Sequence, residues 1–316
     1  MRVLVTGGAG FIGSHLVRAL LDRGDAVVVL DNFSTGKQEN IAPILADIHL
    51  YEGDMRDYAL VQRAMEGVEL VFHEAALPSV PRSVADPITS TSVNVVGAVT
   101  VLKAAVDAGV RRLVYAASSS AYGNAQEKLK VETLCPKPRS PYAVTKLAGE
   151  YMLQAFSACY PIETVGLRYF NVFGERQDPS SQYSGVIAKF SKAMLQGERP
   201  TIYGDGTTSR DFTYVANVVE ANLLAGGAPA EVNGHIMNAA CGDNISLLQL
   251  VSQLNEILGT TLEPLFGPER AGDVQHSCAD IAKAKALLGY QPRVDFASGL
   301  RRTVDWYAAN LAGGSA

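Results

Sequence analysis

Tyr142 and Lys146, in the stretch Pro141 to Lys146, are the side chains whose types and spacing could do chemistry. Four apart on a helix, a phenol and an ammonium share one face, one turn apart. A free tyrosine ionises near pH ~10, and a neighbouring positive charge makes its phenolate easier to form. Such a pair can take the proton of an alcohol or sugar hydroxyl near neutral pH. Tyr and Lys at this spacing are common on helices, where they are usually a half-buried ring beside a solvated amine. What sets this pair apart is its company: the serine cluster Ser118, Ser119 and Ser120, and a glycine-rich loop near the N-terminus.

The elements that position these residues read as alternating strands and helices. Arg2 to Thr6 is a short β-branched run, followed by Gly7 to Gly13 (GGAGFIG), a helical pattern over Ser14 to Arg23, and a strand over Ala26 to Leu30 ending in Asp31. Gly7, Gly10 and Gly13 then open a helix after a strand, and the acid follows about 20 residues on, as in a dinucleotide site. Gly7 permits the tight turn, Gly10 lets backbone approach a pyrophosphate, Gly13 allows close helix–strand packing, and the helix N-terminus faces the phosphate charge. Phe11 and Ile12 lie inside this loop. Asp31 can accept both ribose hydroxyls and would repel a 2′-phosphate, which favours NAD over NADP. Asn32, Ser34, Thr35 and Gly36 form a polar loop suited to the adenosine ribose.

Ile48 to Glu52 is the next strand; after it come Asp54, a candidate acceptor for the adenine amino group, and Met55. A fourth strand, Leu70 to His73, leads to Ala75 and Ala76, small enough for a cofactor to lie close. Val93 to Ala108, which carries Asn94, reads as a helix apolar nearly all round, so it needs cover on two sides, part of it from a second subunit. Arg112 to Ala117 is a buried fifth strand with the three serines at its C-terminal end, where ligands of open parallel sheets lie. Serines at strand ends are also ordinary turn formers. Tyr142 to Tyr160 is a helix with Pro141 at its permitted starting position, and Glu163 to Tyr169 is a sixth strand. Beyond about residue 170 the alternation breaks down into glycine-, serine- and aspartate-rich loops with short elements, including helices over Asn244 to Leu258 and Ile281 to Gly289. The fold class is therefore α/β, a Rossmann-type doubly wound parallel sheet over residues 1–170, with a smaller lobe over 171–316 that returns some segments to the first. Arg210 and Arg270 are the loop cations best placed to meet phosphate. The tail, Gly313 to Ala316, is expected to fray.

The chain has 316 residues, enough to bury a large core. Its formal charge of −5, with Lys and Arg scattered, gives no basic footprint for nucleic acid. Four dispersed cysteines without CxxC or Cys/His spacing read as reduced thiols in a cytoplasmic protein, with no metal site. No continuous apolar run reaches the ~18 residues a membrane span needs, and no leader segment is evident. His73 and Glu74 begin like HExxH, but Leu77 stands where the second histidine would be.

Taken together, GGAGFIG, the Tyr-xxx-Lys pair and the preceding serines resemble the extended short-chain dehydrogenase/reductase family and, more narrowly, its UDP-hexose 4-epimerases. The resemblance runs from Val3 to about Trp306 and includes Arg168 to Gly174 (RYFNVFG), Gly204 to Phe212 (GDGTTSRDF) and Gly272 to Asp280 (GDVQHSCAD). It implies that Tyr142 is the catalytic base, that Lys146 holds the nicotinamide ribose and eases ionisation of the tyrosine, and that Ser118, four residues before Tyr122, hydrogen-bonds the sugar oxygen at C4. Ala117, Asn94 and Tyr169 join the cofactor site. Asn171 would hold a diphosphate oxygen, Arg210 and Arg270 would pair with the diphosphate, and Asp273 with the uridine ribose. Ser119, Ser120, Val186 and Tyr203 are further substrate contacts. The implied reaction removes the C4 proton and hydride to give a 4-keto sugar, which turns about its diphosphate linkage and takes the hydride back on its other face. A homodimer through the Val93 and Tyr142 helices is the family expectation.

Dehydratases of the family carry an acidic pair where Ser119 and Ser120 stand, and decarboxylases a glutamate nearby. A non-catalytic NAD-binding regulator would usually lack the Tyr-xxx-Lys pair. Ser277 stands where members restricted to the smaller sugars carry a bulky tyrosine, which leaves room for a C2 acetamido group. Leu77 to Ser83 and Arg176 to Pro179 also resemble the branch that prefers N-acetylated sugars, with Ser79 and Gln177 as substrate contacts. The expected substrates are thus UDP-GlcNAc and UDP-GalNAc, with UDP-Glc and UDP-Gal also accepted; restriction to the latter pair is the alternative. Glu74 departs from the apolar residue common at its position in the family, and local hydrogen bonding is the one role that sequence suggests for it.

Overall fold

Val3 and Val5 point to one face of strand β1 (Arg2–Thr6) and Leu4 to the other, and all three are fully buried. A strand covered on both faces belongs inside a layered α/β sheet. The structure, a computed structural model, describes residues 1–123, 125, 127–179, 185–269 and 276–312. Arg270, Asp273 and the tail Gly313 to Ala316 lie outside the described residues.

The other strands of the main sheet are β2 (Ala26–Asp31), β3 (Ile48–Glu52), β4 (Leu70–His73), β5 (Arg112–Ser118), β6 (Glu163–Tyr169) and β7 (His235–Ala239). They are parallel throughout and lie in the order β3-β2-β1-β4-β5-β6-β7. Chain direction across the sheet reverses between β1 and β4, the switch point outside which such sheets bind ligands. Helices α1 (Phe11–Asp22), α2 (Tyr58–Ala64), α3 (Pro87–Asp107) and α4 (Pro141–Cys159) connect the first six strands. The second half adds α5 (Val186–Leu195), α6 (Val215–Gly227), α7 (Leu247–Leu258), α8 (Ala282–Leu288) and α9 (Phe296–Ala312). Leu16, Leu20, Val218 and Ala225 of α1 and α6 cover one face of the sheet; Val61, Val101 and Leu153 of α2, α3 and α4 cover the other.

The predicted strands match the observed ones to within a residue. The helix expected over Val93 to Ala108 starts earlier, at Pro87, and contains a π-helical turn over Ser92–Val96. An 18-residue stretch of its 21 residues reaches a mean hydropathy of 1.3, which by length and composition would suffice to cross a membrane. It packs within the fold on one side only: Ile88 and Val96 stay exposed, as do Val144 and Tyr151 on α4.

The lobes exchange segments in both directions. β7 comes from the second half, while Leu129–Lys130 from the first half pairs with His276–Ala279 in a small sheet that also holds Ser209–Arg210 and Ile245–Ser246. Phe173 centres the second lobe's core, touching Phe212, Tyr214 and Phe296 at 5.5–6.4 Å between ring centroids.

At the end of β5 remote from the serines, Arg112 is fully buried. Its guanidinium donates to the carbonyls of Ala225, Ala228 and Pro229 at 2.6–3.0 Å and pairs with Glu163 at 2.6 Å. The Ala225 and Ala228 carbonyls stand at the end of α6, which a cation stabilises, and that of Pro229 follows it. Arg112→Met removes every one of these donors. The expected loss is roughly 3 kcal/mol, read as a lower urea midpoint.

Candidate active site

The glycine loop is set by close approach. A Cβ on Gly7, whose φ is +71°, would lie 2.8 Å from the Ala75 backbone, and one on Gly13 would lie 2.1 Å from the Gly7 carbonyl oxygen. At Gly10 only that same oxygen is near, at 3.1 Å. Gly10 precedes α1 and offers no side-chain cap, so the first N–H groups of the helix keep their capacity for an anion. Asp31, at the end of β2, accepts from the amides of Ala9 (2.9 Å) and Phe33 (2.8 Å). Burial raises its pKa, and those bonds oppose the rise. Asp54 is gripped by the Arg56 guanidinium at 2.6 and 2.9 Å, whose hydrogen bonds hold its pKa below the usual range.

A cleft of about 1200 Å³ runs from this loop along the C-terminal ends of the strands. Of the residues assigned to the cofactor, Gly7, Gly10, Phe11, Ile12, Gly13, Asp31, Asn32, Ser34, Thr35, Gly36, Asp54, Met55, Ala75, Ala76, Ala117 and Tyr169 line it. Asn94 does not. It is buried beneath the wall, with its amide spent on both backbone groups of Leu77 and on the Thr145 hydroxyl. Asn94 thus braces the loop after β4 against α4 rather than facing the cleft.

Further along lie Tyr142, Lys146 and Ser118 to Ser120. Ser140 caps α4 by accepting from the Ala143 amide, and Pro141 sits in the first turn. Lys146 is 4% exposed, donates from Nζ to the Ala116 carbonyl at 2.8 Å, and lies 5.0 Å from the Tyr115 ring centroid. Burial lowers its pKa to about 8, against the pull of Glu74 and Glu150. Burial also raises the Tyr142 pKa, and a hydrogen bond with Ser118 opposes that rise. In the chain alone, burial dominates the phenol, and the Ser118 hydrogen bond is the contact that eases its ionisation.

At the far end the cleft is continuous with a cavity of about 300 Å³ through Asn171, Gln177 and Arg210, which line both. Val186 and Tyr203 line the smaller cavity with Phe212. Ser277 lines the cleft beside Arg210, its partner in strand register. Ser79 points elsewhere: its hydroxyl accepts from the Arg82 amide to cap the short helix Val80–Ala85, at a φ of 103°. Among the described residues, the buried Ser120 hydroxyl and the side-chain oxygen Oε1 of Gln177 have no hydrogen-bond partner. Orphaned polar atoms in a cleft wall suit a polar ligand.

A family model described as the NAD dependent epimerase/dehydratase family matches residues 3–240. The chain belongs to that family. NAD is its cofactor, and the glycine cradle, the uncapped helix and Asp31 fit that group. The UDP-glucose 4-epimerase of Mycolicibacterium smegmatis is 40% identical over 97% of this chain and 98% of that protein. The UDP-glucose 4-epimerase of Thermotoga maritima, solved with UDP-glucose, superimposes with a TM-score of 0.93 at 39% identity, covering 98% of this chain and all of that one. The UDP-N-acetylglucosamine 4-epimerase of Methanobrevibacter ruminantium, solved with UDP-N-acetylmuramic acid, gives 0.93 at 38% identity over 98% of both chains. The family member is thus of the extended short-chain dehydrogenase/reductase, UDP-hexose epimerase type.

Sequence reasoning missed Arg56, Lys130 and Arg139 in the cleft wall. Arg56 follows Asp54 by two positions, a spacing that allows the observed grip. Lys130 belongs to a two-residue strand whose partner lies far along the chain, and Arg139 to the loop before α4, so no local pattern fixes either.

Two histidines, the fully buried His73 on β4 and the half-buried His15 on α1, are held by hydrogen bonds. His73 bonds the Thr6 hydroxyl at 2.7 Å, and His15 donates to the Glu175 carbonyl at 2.9 Å. Burial lowers both from 6.5 to about 3. Held neutral in the fold, they contribute stability that is complete above pH 6.5 and lost as pH falls toward 3. The expected slope in that window is up to ~1.4 kcal/mol per pH unit for each histidine. Urea unfolding at successive pH values checks it, and His73→Gln should flatten the slope.

Proposed function

We propose that the protein interconverts UDP-GlcNAc and UDP-GalNAc at C4, and accepts UDP-Glc and UDP-Gal as well. The observation that carries the N-acetyl preference is Ser277, a small side chain on the cleft wall next to Arg210. A pocket with this much room admits the larger sugar without excluding the smaller one. The second reading, restriction to UDP-Glc and UDP-Gal, is favoured by the substrate named for two of the relatives above.

In this reading Tyr142 receives the C4 hydroxyl proton and returns it, while the Ser118 hydroxyl holds the sugar oxygen. Bound NAD would supply the hydride acceptor. Lys146 orients the ribose from its seat on the Ala116 carbonyl. Asn171 and Arg210, with Arg270 and Asp273, anchor the UDP end and leave the hexose free to turn, so that binding remote from C4 serves the reaction. Val186, Tyr203 and Phe212 line the smaller cavity, which suits the uracil ring. No carboxylate stands at Ser119 or Ser120, which argues against water elimination.

The deciding experiment incubates purified protein, without added cofactor, with UDP-GlcNAc and separately with UDP-Glc, and reads each 4-epimer by NMR. Conversion of both is expected, whereas conversion of UDP-Glc alone would defeat the Ser277 argument. Tyr142→Phe should lower kcat by ~10²–10⁴-fold with NAD content unchanged. Ser277→Tyr should cut turnover of the N-acetylated pair on the order of 100-fold and spare the plain pair; equal losses on both would count against the assignment.

We also propose a homodimer through α3 and α4, on the strength of exposed Ile88, Val96, Val144 and Tyr151. Apolar side chains grouped on two adjacent helices mark such a surface. Val96→Asp combined with Tyr151→Asp should give a monomer in sedimentation velocity.

A further inference from the structure

Two carboxylates, Glu74 and Glu150, act on the charge of Lys146, and among the described residues no cation forms an ion pair with Glu74. The other, Glu150, is held by Arg168 at 2.7 and 2.9 Å, both oxygens engaged. Glu74 follows the last residue of β4 and lines the cleft. His73 pairs in register with Tyr115, so Glu74, one step on, comes level with Ala116, whose carbonyl seats the Lys146 ammonium. On its other side Glu74 Oε1 accepts from the Tyr169 hydroxyl at 2.7 Å, and that hydroxyl accepts from Asn222 Nδ2 at 2.7 Å. Tyr169 stands opposite Ser118 in the β5–β6 register, and it packs in the same cluster as Ala116. The chain Asn222–Tyr169–Glu74 therefore fixes a carboxylate between two walls of the cleft.

We propose that Glu74 is a positioning residue of the catalytic pair: its carboxylate supplies the countercharge that keeps Lys146 an ammonium, and it holds the Tyr169 phenol against the cleft wall. The inference rests on the assignment of Tyr142 and Lys146 to proton transfer. Lys146 needs such a partner because burial weakens its hold on its proton, and an opposite charge nearby restores it. The titratable and charged groups around Glu74 and Lys146 are few. His73 on β4 is neutral and faces Thr6; Tyr115 on β5 and Tyr169 on β6 are phenols pushed up by burial; α4 contributes Tyr142 and the neutralised Glu150. Glu74 is itself raised to about 7 by burial, with Tyr169 and Lys146 pulling it down, so it is an anion at mildly alkaline pH.

Removing that anion makes the ammonium easier to deprotonate. Glu74→Gln keeps an oxygen for the Tyr169 hydroxyl and loses only the charge. It should move the alkaline limb of the kcat–pH profile to lower pH by about one unit. Tyr169→Phe keeps the carboxylate and loses only the hydrogen bond that helps hold it ionised, so its limb should move by clearly less than that of Glu74→Gln. Coincident limbs in wild type and Glu74→Gln would overturn the proposal, as would equal shifts in both variants, which a merely structural role produces. Infrared difference spectra of the NAD-loaded protein give a second reading that needs no turnover. The carbonyl band of a protonated carboxylic acid should vanish as pH rises through about 7, and Glu74→Gln should lack that band throughout. A band persisting at the pH of maximal activity would show an uncharged Glu74 and refute the countercharge. Absence of UDP-hexose turnover in every protein would instead remove the catalytic assignment, with the charge of Glu74 still decided by its spectrum.

Discussion

The buried ammonium of Lys146 is the constraint on which the arrangement of the site depends. An ammonium without water needs an acceptor, and its seat is the Ala116 carbonyl near the end of β5. Reaching it requires α4 to lie close on the sheet. Gly149, one turn past Lys146 on that helix, allows this, since a Cβ there would lie 2.2 Å from the Tyr115 hydroxyl oxygen. The Thr145–Asn94 bond and the Arg168–Glu150 pair fix the same helix from two further sides. Packing of α4 and placement of the proton-transfer pair are therefore one problem, and the small residues at 116, 117 and 149 serve both.

The second lobe meets a different demand. Its short strands have little sheet of their own, so the aromatic cluster around Phe173 supplies the core that they cannot. Phe173 directly precedes the loop that carries Gln177, and Phe212 is two residues beyond Arg210. The aromatic core and the polar ends of the cleft thus hang from the same stretches of backbone. The long cleft results from setting this lobe over the open ends of β1, β4, β5 and β6, where the glycine loop and the serines already converge.

The main sheet was largely legible in sequence because its signals are local. The short β-branched run ending at Thr6, the glycine loop and the acid at Asp31 each announce an element within a few residues, and Tyr142 and Lys146 share one turn of one helix. The structural roles of Asn94 and Ser79, bracing a wall and capping a short helix, could not be read in sequence, because the same residue types satisfy backbone groups as readily as they meet ligands. β7 was missed because its partner, β6, lies far away in sequence, and its own five residues carry a polar Asn238 that bonds Tyr122 and the Lys130 carbonyl. Glu74 was visible as an oddity, but its meaning needed the β4–β5 register, which no local pattern gives.

The position of β7 at the sheet edge also bears on how the chain is made. β6 has β5 on one side during synthesis, and its other edge stays unpaired until His235–Ala239 has left the ribosome. An unpaired edge of a buried, apolar strand is a template for pairing with other chains. The interval between β6 and β7 spans α5 and much of the second lobe, so the nascent protein carries an open seam while that lobe is being translated. Chaperone capture at this seam, or a pause in translation placed after residue 240, would act on yield without touching a single residue of the finished site.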